Sequence, residues 1–212
     1  MDNPLLVFLH GPGQSPPAWQ DVVSAINPDQ PMVAPWLKGL KPNEPAGFDL
    51  DAAVESVLDV MEARDAKQAD LVGYSLGGVV AARVAMAYPD RIAHLVMVST
   101  PVIPDRKAIS AQRMVVRMTP SWLFKGISKE LVLSALDALL AADFGIDPAL
   151  ITAPTLVVTA EEDIPMRQSA SQLALSEGVV LRHLPGDDPN LMTTHPAQLA
   201  QLIADFRSGF LD

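Results

Sequence analysis

Six short apolar runs, at residues 5–9, 32–34, 70–74, 95–99, 155–159 and 179–184, alternate with helical patterns along this chain of 212 residues. Strands that are apolar on both faces belong in a parallel sheet covered on both sides, and each return from strand to parallel strand needs a crossover, usually a helix. The alternation therefore predicts an α/β fold, a mostly parallel six-stranded sheet flanked by helices. A hydrophobic content of 49% at this length fills one core without requiring a second. Residues 1–212 are read as a single domain.

Between the runs, residues 51–64 place Val54, Val57, Leu58 and Met61 on one helical face, with Asp49 or Asp51 available as N-cap. Tyr88-Pro89 ends a helix over 79–88, because proline disfavours helical geometry in the residue before it. Pro196 suits the first turn of a last helix over 197–207. The segment 101–151 breaks the rhythm with about fifty residues and no convincing strand. It reads as a short helical lid. Ser128, Lys129 and Glu130 open a helix carrying Leu131, Ala135, Leu136, Leu139 and Leu140, which Gly145 and Pro148 close. Upstream, Met114, Val115, Met118, Trp122, Leu123 and Phe124 form an apolar cluster. It either lines a pocket for an apolar substrate or packs the lid onto the core.

The chemistry concentrates in Val72-Gly73-Tyr74-Ser75-Leu76-Gly77-Gly78. A serine in G-x-S-x-G between a strand and a helix sits on a sharp turn, and glycines on both sides allow the close backbone approach that the turn needs. The hydroxyl then stands above the strand end, positioned to attack a carbonyl.

Composition excludes several alternatives. A net charge of −10 opposes binding to nucleic acid and to anionic membranes, so neither is expected as a partner. The absence of cysteine excludes disulfides, thiolate metal sites and a thiol nucleophile. Neither metal-ligand spacing nor a phosphate-cradling loop occurs, so no metal and no cofactor are expected. The first residues lack a basic n-region and their apolar run stops at His10, so a core strand is expected rather than a signal peptide. A cytoplasmic location is the simplest expectation.

Leu9-His10-Gly11-Pro12-Gly13 with Trp19, the Ser75 turn, Tyr88-Pro89-Asp90-Arg91-Ile92 followed by Leu95-Val96-Met97-Val98, and Ala153-Pro154-Thr155-Leu156-Val157-Val158 with Glu161-Glu162-Asp163 resemble the corresponding segments of the α/β-hydrolase superfamily. The resemblance covers nearly the whole chain. It implies the α/β-hydrolase fold with a cap after the sixth family strand, where the lid falls, and a trimmed member without the usual first two strands. It also implies a triad in which Ser attacks, His moves the proton, and an acid orients the His. Ser75 matches the nucleophile and Asp163 the acid; the alternative for Asp163 is a helix N-cap or a solvated turn carboxylate beside Glu161 and Glu162.

Two positions depart from the family pattern. Members usually carry the catalytic His about seven residues before the proline that opens the last helix, and counting back from Pro196 reaches Pro189. His195 is then either a relocated base or a helix-flanking residue, while His10, His94 and His183 read as structural. Asp188 would be a weak substitute base. The oxyanion hole needs the N–H of Leu76 and one from the residue after His-Gly, which is Pro12 and has none to give. Gly13 is the alternative donor if the loop turns differently. Met114, Met118 and Trp122 complete the expected substrate-binding set.

Three functions compete on these residues. The first is a serine hydrolase of a small neutral or apolar ester, thioester or lactone through an acyl-enzyme on Ser75. The second is a hydrolase-fold protein with an impaired triad that binds a small ligand. The third uses the pocket for proton transfer, elimination or cyclisation. The expected partner is a small-molecule substrate or ligand, and exposed lid surface could pair two copies as a homodimer.

Overall fold

The computed structural model describes residues 4–26, 29–41, 48–102, 106–123, 129–141 and 144–211. Its strands are β1 (Leu5–Leu9), β2 (Met32–Val33), β3 (Ala69–Tyr74), β4 (Ile92–Val98), β5 (Thr155–Ala160) and β6 (Val179–Leu184). The helices are α1 (Gln20–Ala25), α2 (Leu50–Glu62), α3 (Leu76–Ala87), α4 (Arg106–Met118), α5 (Lys129–Ala141), α6 (Ile164–Leu173), α7 (Leu191–Thr194) and α8 (Pro196–Arg207). All six expected strands form, in the order β2-β1-β3-β4-β5-β6, and every pairing is parallel. Phe124 and Ser128 lie outside the described residues.

Alternation along the strands explains the layers. Leu5, Val7, Leu9, Leu71, Leu95, Met97 and Val157 face α2, α3 and α6, whereas Leu6, Phe8, Val72, Val96, Val98, Leu156 and Val158 face α1, α7 and α8. The side-chain period of two in a strand divides one continuous apolar run between two cores. Each fully buried Leu or Phe contributes about 1.5–3 kcal/mol relative to exposure.

Local chemistry sets the helix ends. Asp49 caps α2 by accepting a hydrogen bond from Ala52 N at 2.7 Å. Pro196 occupies the first turn of α8, and α3 stops before Tyr88-Pro89. Lys129 Nζ donates to the carbonyls of Arg117 and Thr119 at 2.8 and 2.7 Å, meeting the unpaired end of α4. The helix α4 lies in the segment that the sequence pattern showed only as an apolar cluster. It packs against α5, and Val116 and Leu136 are buried there.

An ion cluster closes the end of the sheet where the strands begin. Asp70, on β3, is fully buried and accepts from His94 Nδ1 at 2.8 Å and from Arg207 Nε at 2.5 Å. It ties β3, β4 and the end of α8 together. Phe206 meets the His94 ring edge-on.

Candidate active site

Every residue singled out for chemistry, apart from the lid set, lies in a turn at the carboxyl ends of the strands or in the helix that follows it. In open α/β sheets this edge is where ligands bind. The strand order reverses at β1, between β2 and β3, and the first two turns of the site follow β1 and β3.

Ser75 has φ 53° and ψ −121°, a region that side chains other than glycine rarely adopt. Such strain costs on the order of 1–3 kcal/mol and persists only where the surroundings impose it. The imposition is visible. Ser75 N donates to Val98 O at 3.0 Å, and the following helix is pressed against the sheet. A Cβ at Gly77 would lie 2.3 Å from Leu9 O, one at Gly73 2.3 Å from Gly77 O, and one at Gly78 1.9 Å from Thr100 Oγ1. Only glycine permits this packing. Ser75 itself is partly exposed, and its hydroxyl hydrogen-bonds no group among the described residues.

Leu76 opens α3, so its N–H has no acceptor within the helix and sits at the positive end of the helix dipole. That is one donor for a developing oxyanion. The turn after β1 is the segment expected to supply a second. Gln14 N donates to Gly11 O at 3.3 Å, and the turn carries Pro12 at its second position and Gly13, with φ 75°, at its third. Pro12 fits the turn's geometry while removing a donor. A Cβ at Gly11 would lie 3.1 Å from Ser75 Cβ, so this turn stands directly beside the serine.

Three further turns meet there. Glu162 N donates to Gly186 O at 2.9 Å, joining the turn after β5 to the turn after β6. Ser99 Oγ donates to Pro189 O at 2.8 Å, and Gln14 Nε2 donates to Asn190 Oδ1 at 3.1 Å. Pro189 is thus fixed over Ser99, which directly follows the carbonyl that holds Ser75. The Tyr74 phenol feels this convergence: its pKa is pushed up to about 12 by burial first, then by the carboxylates of Asp188 and Asp163. It remains protonated, a neutral donor beside two acids.

Asp163 is the N-cap of α6 and accepts from Met166 N at 3.3 Å. No imidazole hydrogen-bonds it. None of the four histidines bonds to Ser75 either, and each has a separate account. His10 is buried, with Nδ1 paired to Gly11 O at 2.9 Å and Nε2 accepting from Leu37 N at 3.2 Å. Both ring nitrogens are occupied, and burial lowers its pKa, so it is a neutral brace for the turn. His94 pairs with Asp70 near the start of the strands, about 16 Å along β3 from Ser75 at roughly 3.3 Å per residue. His183 pairs with Thr159 Oγ1 at 2.7 Å on the edge strand, three strands or about 14 Å from β3. Its pKa is lowered by burial and by Arg167, against a smaller opposing effect of Glu161.

His195 joins α7 to α8, with its Nδ1 on Thr194 Oγ1 at 2.9 Å. The ring is half-buried and has no other side-chain hydrogen bond. The remaining residues of the expected set, Met114, Met118 and Trp122, are well exposed on α4 and the turn after it. They belong to neither core.

Sequence reasoning missed Tyr74, Ser99 and Gln14. Tyr74 was the variable position of the motif, and nothing in the sequence pairs Ser99 with Pro189 or Gln14 with Asn190 across 90 and 176 residues. The positive φ of Ser99, 42°, had no glycine to announce it.

Residues 4–145 match a family model described as alpha/beta hydrolase fold. The 1-acylglycerol-3-phosphate O-acyltransferase ABHD5 of Rattus norvegicus is 34% identical over 124 residues, covering 56% of this chain and 34% of its own length. The 2-hydroxymuconate semialdehyde hydrolase of Pseudomonas sp. strain CF600 is 31% identical over 101 residues, 45% of this chain and 36% of its own. The chain spans about a third of the length of the curated relatives it matches. Among solved structures, the enol-lactonase of Burkholderia xenovorans LB400 superposes with a TM-score of 0.81 at 17% identity, covering 98% of this chain and 92% of its own.

Proposed function

The chain belongs to the α/β-hydrolase fold family, and from that premise we propose that it is a serine hydrolase of a small neutral or apolar ester, thioester or lactone, working through an acyl-enzyme on Ser75. The strained serine carries this reading. Its backbone is held by Val98 and flanked by glycines that no other residue could replace, yet its hydroxyl caps nothing. A hydroxyl held on a strained turn with no hydrogen-bond partner of its own is accounted for by chemistry at that hydroxyl. The names of the hydroxymuconate hydrolase and the enol-lactonase are consistent with carbonyl substrates of this kind.

In this mechanism Ser75 Oγ attacks the substrate carbonyl carbon while His195, its ring turned inward from Thr194, takes the proton. The carbonyl oxygen gains the negative charge and is met by the Leu76 N–H, with Gly13 as the second donor. The imidazolium returns the proton to the leaving group as the tetrahedral adduct collapses, and Asp163 stabilises the charged ring. Water then repeats the sequence on the acyl-enzyme and frees the acid. Turning His195 breaks the one side-chain hydrogen bond it makes, that of Nδ1 with Thr194 Oγ1.

Specific observations favour a second reading, an impaired triad that binds a small ligand: Pro189 stands where counting back from Pro196 puts the family base, Pro12 removes an oxyanion donor, and no imidazole hydrogen-bonds Ser75. Rates of p-nitrophenol release from p-nitrophenyl acetate and butyrate separate the two. The hydrolase reading predicts that Ser75→Ala abolishes release and that His195→Ala, folded by circular dichroism, lowers it at least about tenfold. Unchanged turnover in His195→Ala would eliminate the relocated base. Wild-type turnover equal to that of Ser75→Ala would favour the binder.

A further inference from the structure

Pro12 takes a backbone donor away from the turn beside Ser75, and the first polar side chain after it on that turn is Gln14. The Gln14 amide is held at both ends. Gly11 N donates to Gln14 Oε1 at 3.4 Å, and Gln14 Nε2 donates to Asn190 Oδ1 at 3.1 Å. A main-chain N–H can only donate, so the Gly11 contact fixes which end of the amide is oxygen and turns the NH2 group away from Gly11. That group carries two protons, and Asn190 takes one. The other has no acceptor among the described residues.

A closed circuit of contacts puts this amide beside the serine. Ser75 N donates to Val98 O at 3.0 Å, and the next residue, Ser99, donates from Oγ to Pro189 O at 2.8 Å. Asn190 follows Pro189 and accepts from Gln14, which accepts from Gly11, whose Cβ would stand 3.1 Å from Ser75 Cβ. Beginning and ending at Ser75, the circuit makes Gln14 the side chain that spans from the turn after β1 to the turn after β6. Asn190 is the N-cap residue of α7, yet its side chain caps nothing there. Its one side-chain contact among the described residues braces Gln14.

We propose that Gln14 is a catalytic residue, its Nε2 supplying the oxyanion hydrogen bond that Pro12 cannot give. The proposal rests on the hydrolase reading of Ser75. As Ser75 Oγ bonds to the carbonyl carbon, the π pair moves onto the carbonyl oxygen, and the spare N–H of Gln14 meets that charge alongside the Leu76 N–H and Gly13. Neither Gln14 nor Leu76 gives up its proton, and the pair returns to carbon when the leaving group departs. A donor fixed in advance by Gly11 and Asn190 needs no rearrangement as the charge develops, which is what makes such donors effective. Gln14 is half-buried and belongs to neither apolar core, so its replacement leaves the sheet packing intact.

The test compares the wild type, Gln14→Met, Gln14→Glu and Asn190→Ala, with kcat and KM for p-nitrophenyl butyrate and with calorimetric binding of butylboronic acid. Boron takes Ser75 Oγ as a fourth ligand and becomes a tetrahedral anion, so its affinity reports the oxyanion donors without turnover. Gln14→Met keeps the side-chain length without a donor, and it is expected to lower kcat and boronate affinity each by about 10²-fold with KM within about threefold. Gln14→Glu should lose more, because a carboxylate repels the developing charge. Asn190→Ala removes the brace and leaves the donor, so it should lose less than about fivefold, well short of the loss of a donor. Equal losses in Gln14→Met and Asn190→Ala would make Gln14 a structural strap and overturn the proposal. So would a Gln14→Met protein that matches the wild type; Gln14→Ala repeats the comparison with less bulk if Gln14→Met fails to fold. A wild type that neither turns over ester nor binds boronate overturns the hydrolase reading and this proposal together, whereas an active wild type with an indifferent Gln14→Met overturns this proposal alone.

Discussion

Replacing Pro189 by His is expected to raise hydrolysis of simple p-nitrophenyl esters by roughly 10²-fold, within the range that a positioned general acid-base group supplies. Two independent observations point to this position. Counting back from Pro196 puts the family base there, and the Pro189 carbonyl is held by Ser99, the residue after the carbonyl that anchors Ser75. Pro189 is exposed, so an imidazole adds no burial, and its backbone carbonyl keeps its partners Ser99 and Leu191 after the change. Asp163 lies on the adjoining turn, tied through Glu162 to Gly186, and is available to orient the new ring. The measurement is kcat/KM for p-nitrophenyl acetate in the wild type, Pro189→His and Pro189→His/Ser75→Ala. The gain must vanish in the double variant. No gain in a folded Pro189→His protein would mean that this turn does not bring position 189 over the hydroxyl.

Asp70→Ala is expected to lower stability by about 3 kcal/mol. Asp70 is buried and bonded on both oxygens, so truncating it leaves the largely buried Arg207 and the His94 ring without their common partner. Removing one member of a buried charge cluster costs more than the cluster's net worth, because the survivors stay desolvated. For a chain of this length the loss corresponds to a melting temperature lower by roughly 6 to 12 °C. Thermal unfolding followed by circular dichroism checks it. A shift within the scatter of a surface substitution, such as Asp90→Ala, would show that the cluster is dispensable. Esterase activity in the folded fraction should be unchanged, since Asp70 sits at the opposite edge of the sheet from Ser75.

The strands were legible because burial on both faces leaves continuous apolar runs, and all six form where those runs lie. Helix α2 was legible through its spacing and its Asp49 cap. In contrast, α6 presents a mixed surface, Ile164-Pro-Met-Arg-Gln-Ser, whose few buried residues give no clear stripe. The last two turns of α4 expose Met114, Val115 and Met118, so apolar residues there do not mark a buried face, and the pattern reads as a cluster rather than a helix. In the site, Ser75 and the turn beside it were legible because close packing demands glycine at Gly73, Gly77 and Gly78, and glycine is visible in a sequence. The convergence of Ser99, Pro189, Gln14 and Asn190 was not. It depends on which strand ends are neighbours, and that follows from topology rather than from any local pattern. Asp163 could be read two ways in the sequence. In the structure its carboxylate accepts the hydrogen bond of a helix cap, and its charge adds, after burial and Asp188, to the upward push on the Tyr74 phenol.

The central claim is that the hydroxyl at position 75 is a competent nucleophile, and active-site labelling by a fluorophosphonate measures this most directly. Intact-mass spectrometry of the wild type should show one adduct per chain, mapping to Ser75 after digestion, and Ser75→Ala should show none. A wild-type protein that remains unmodified while a control serine hydrolase reacts to completion, or an adduct that persists in Ser75→Ala, would contradict the account.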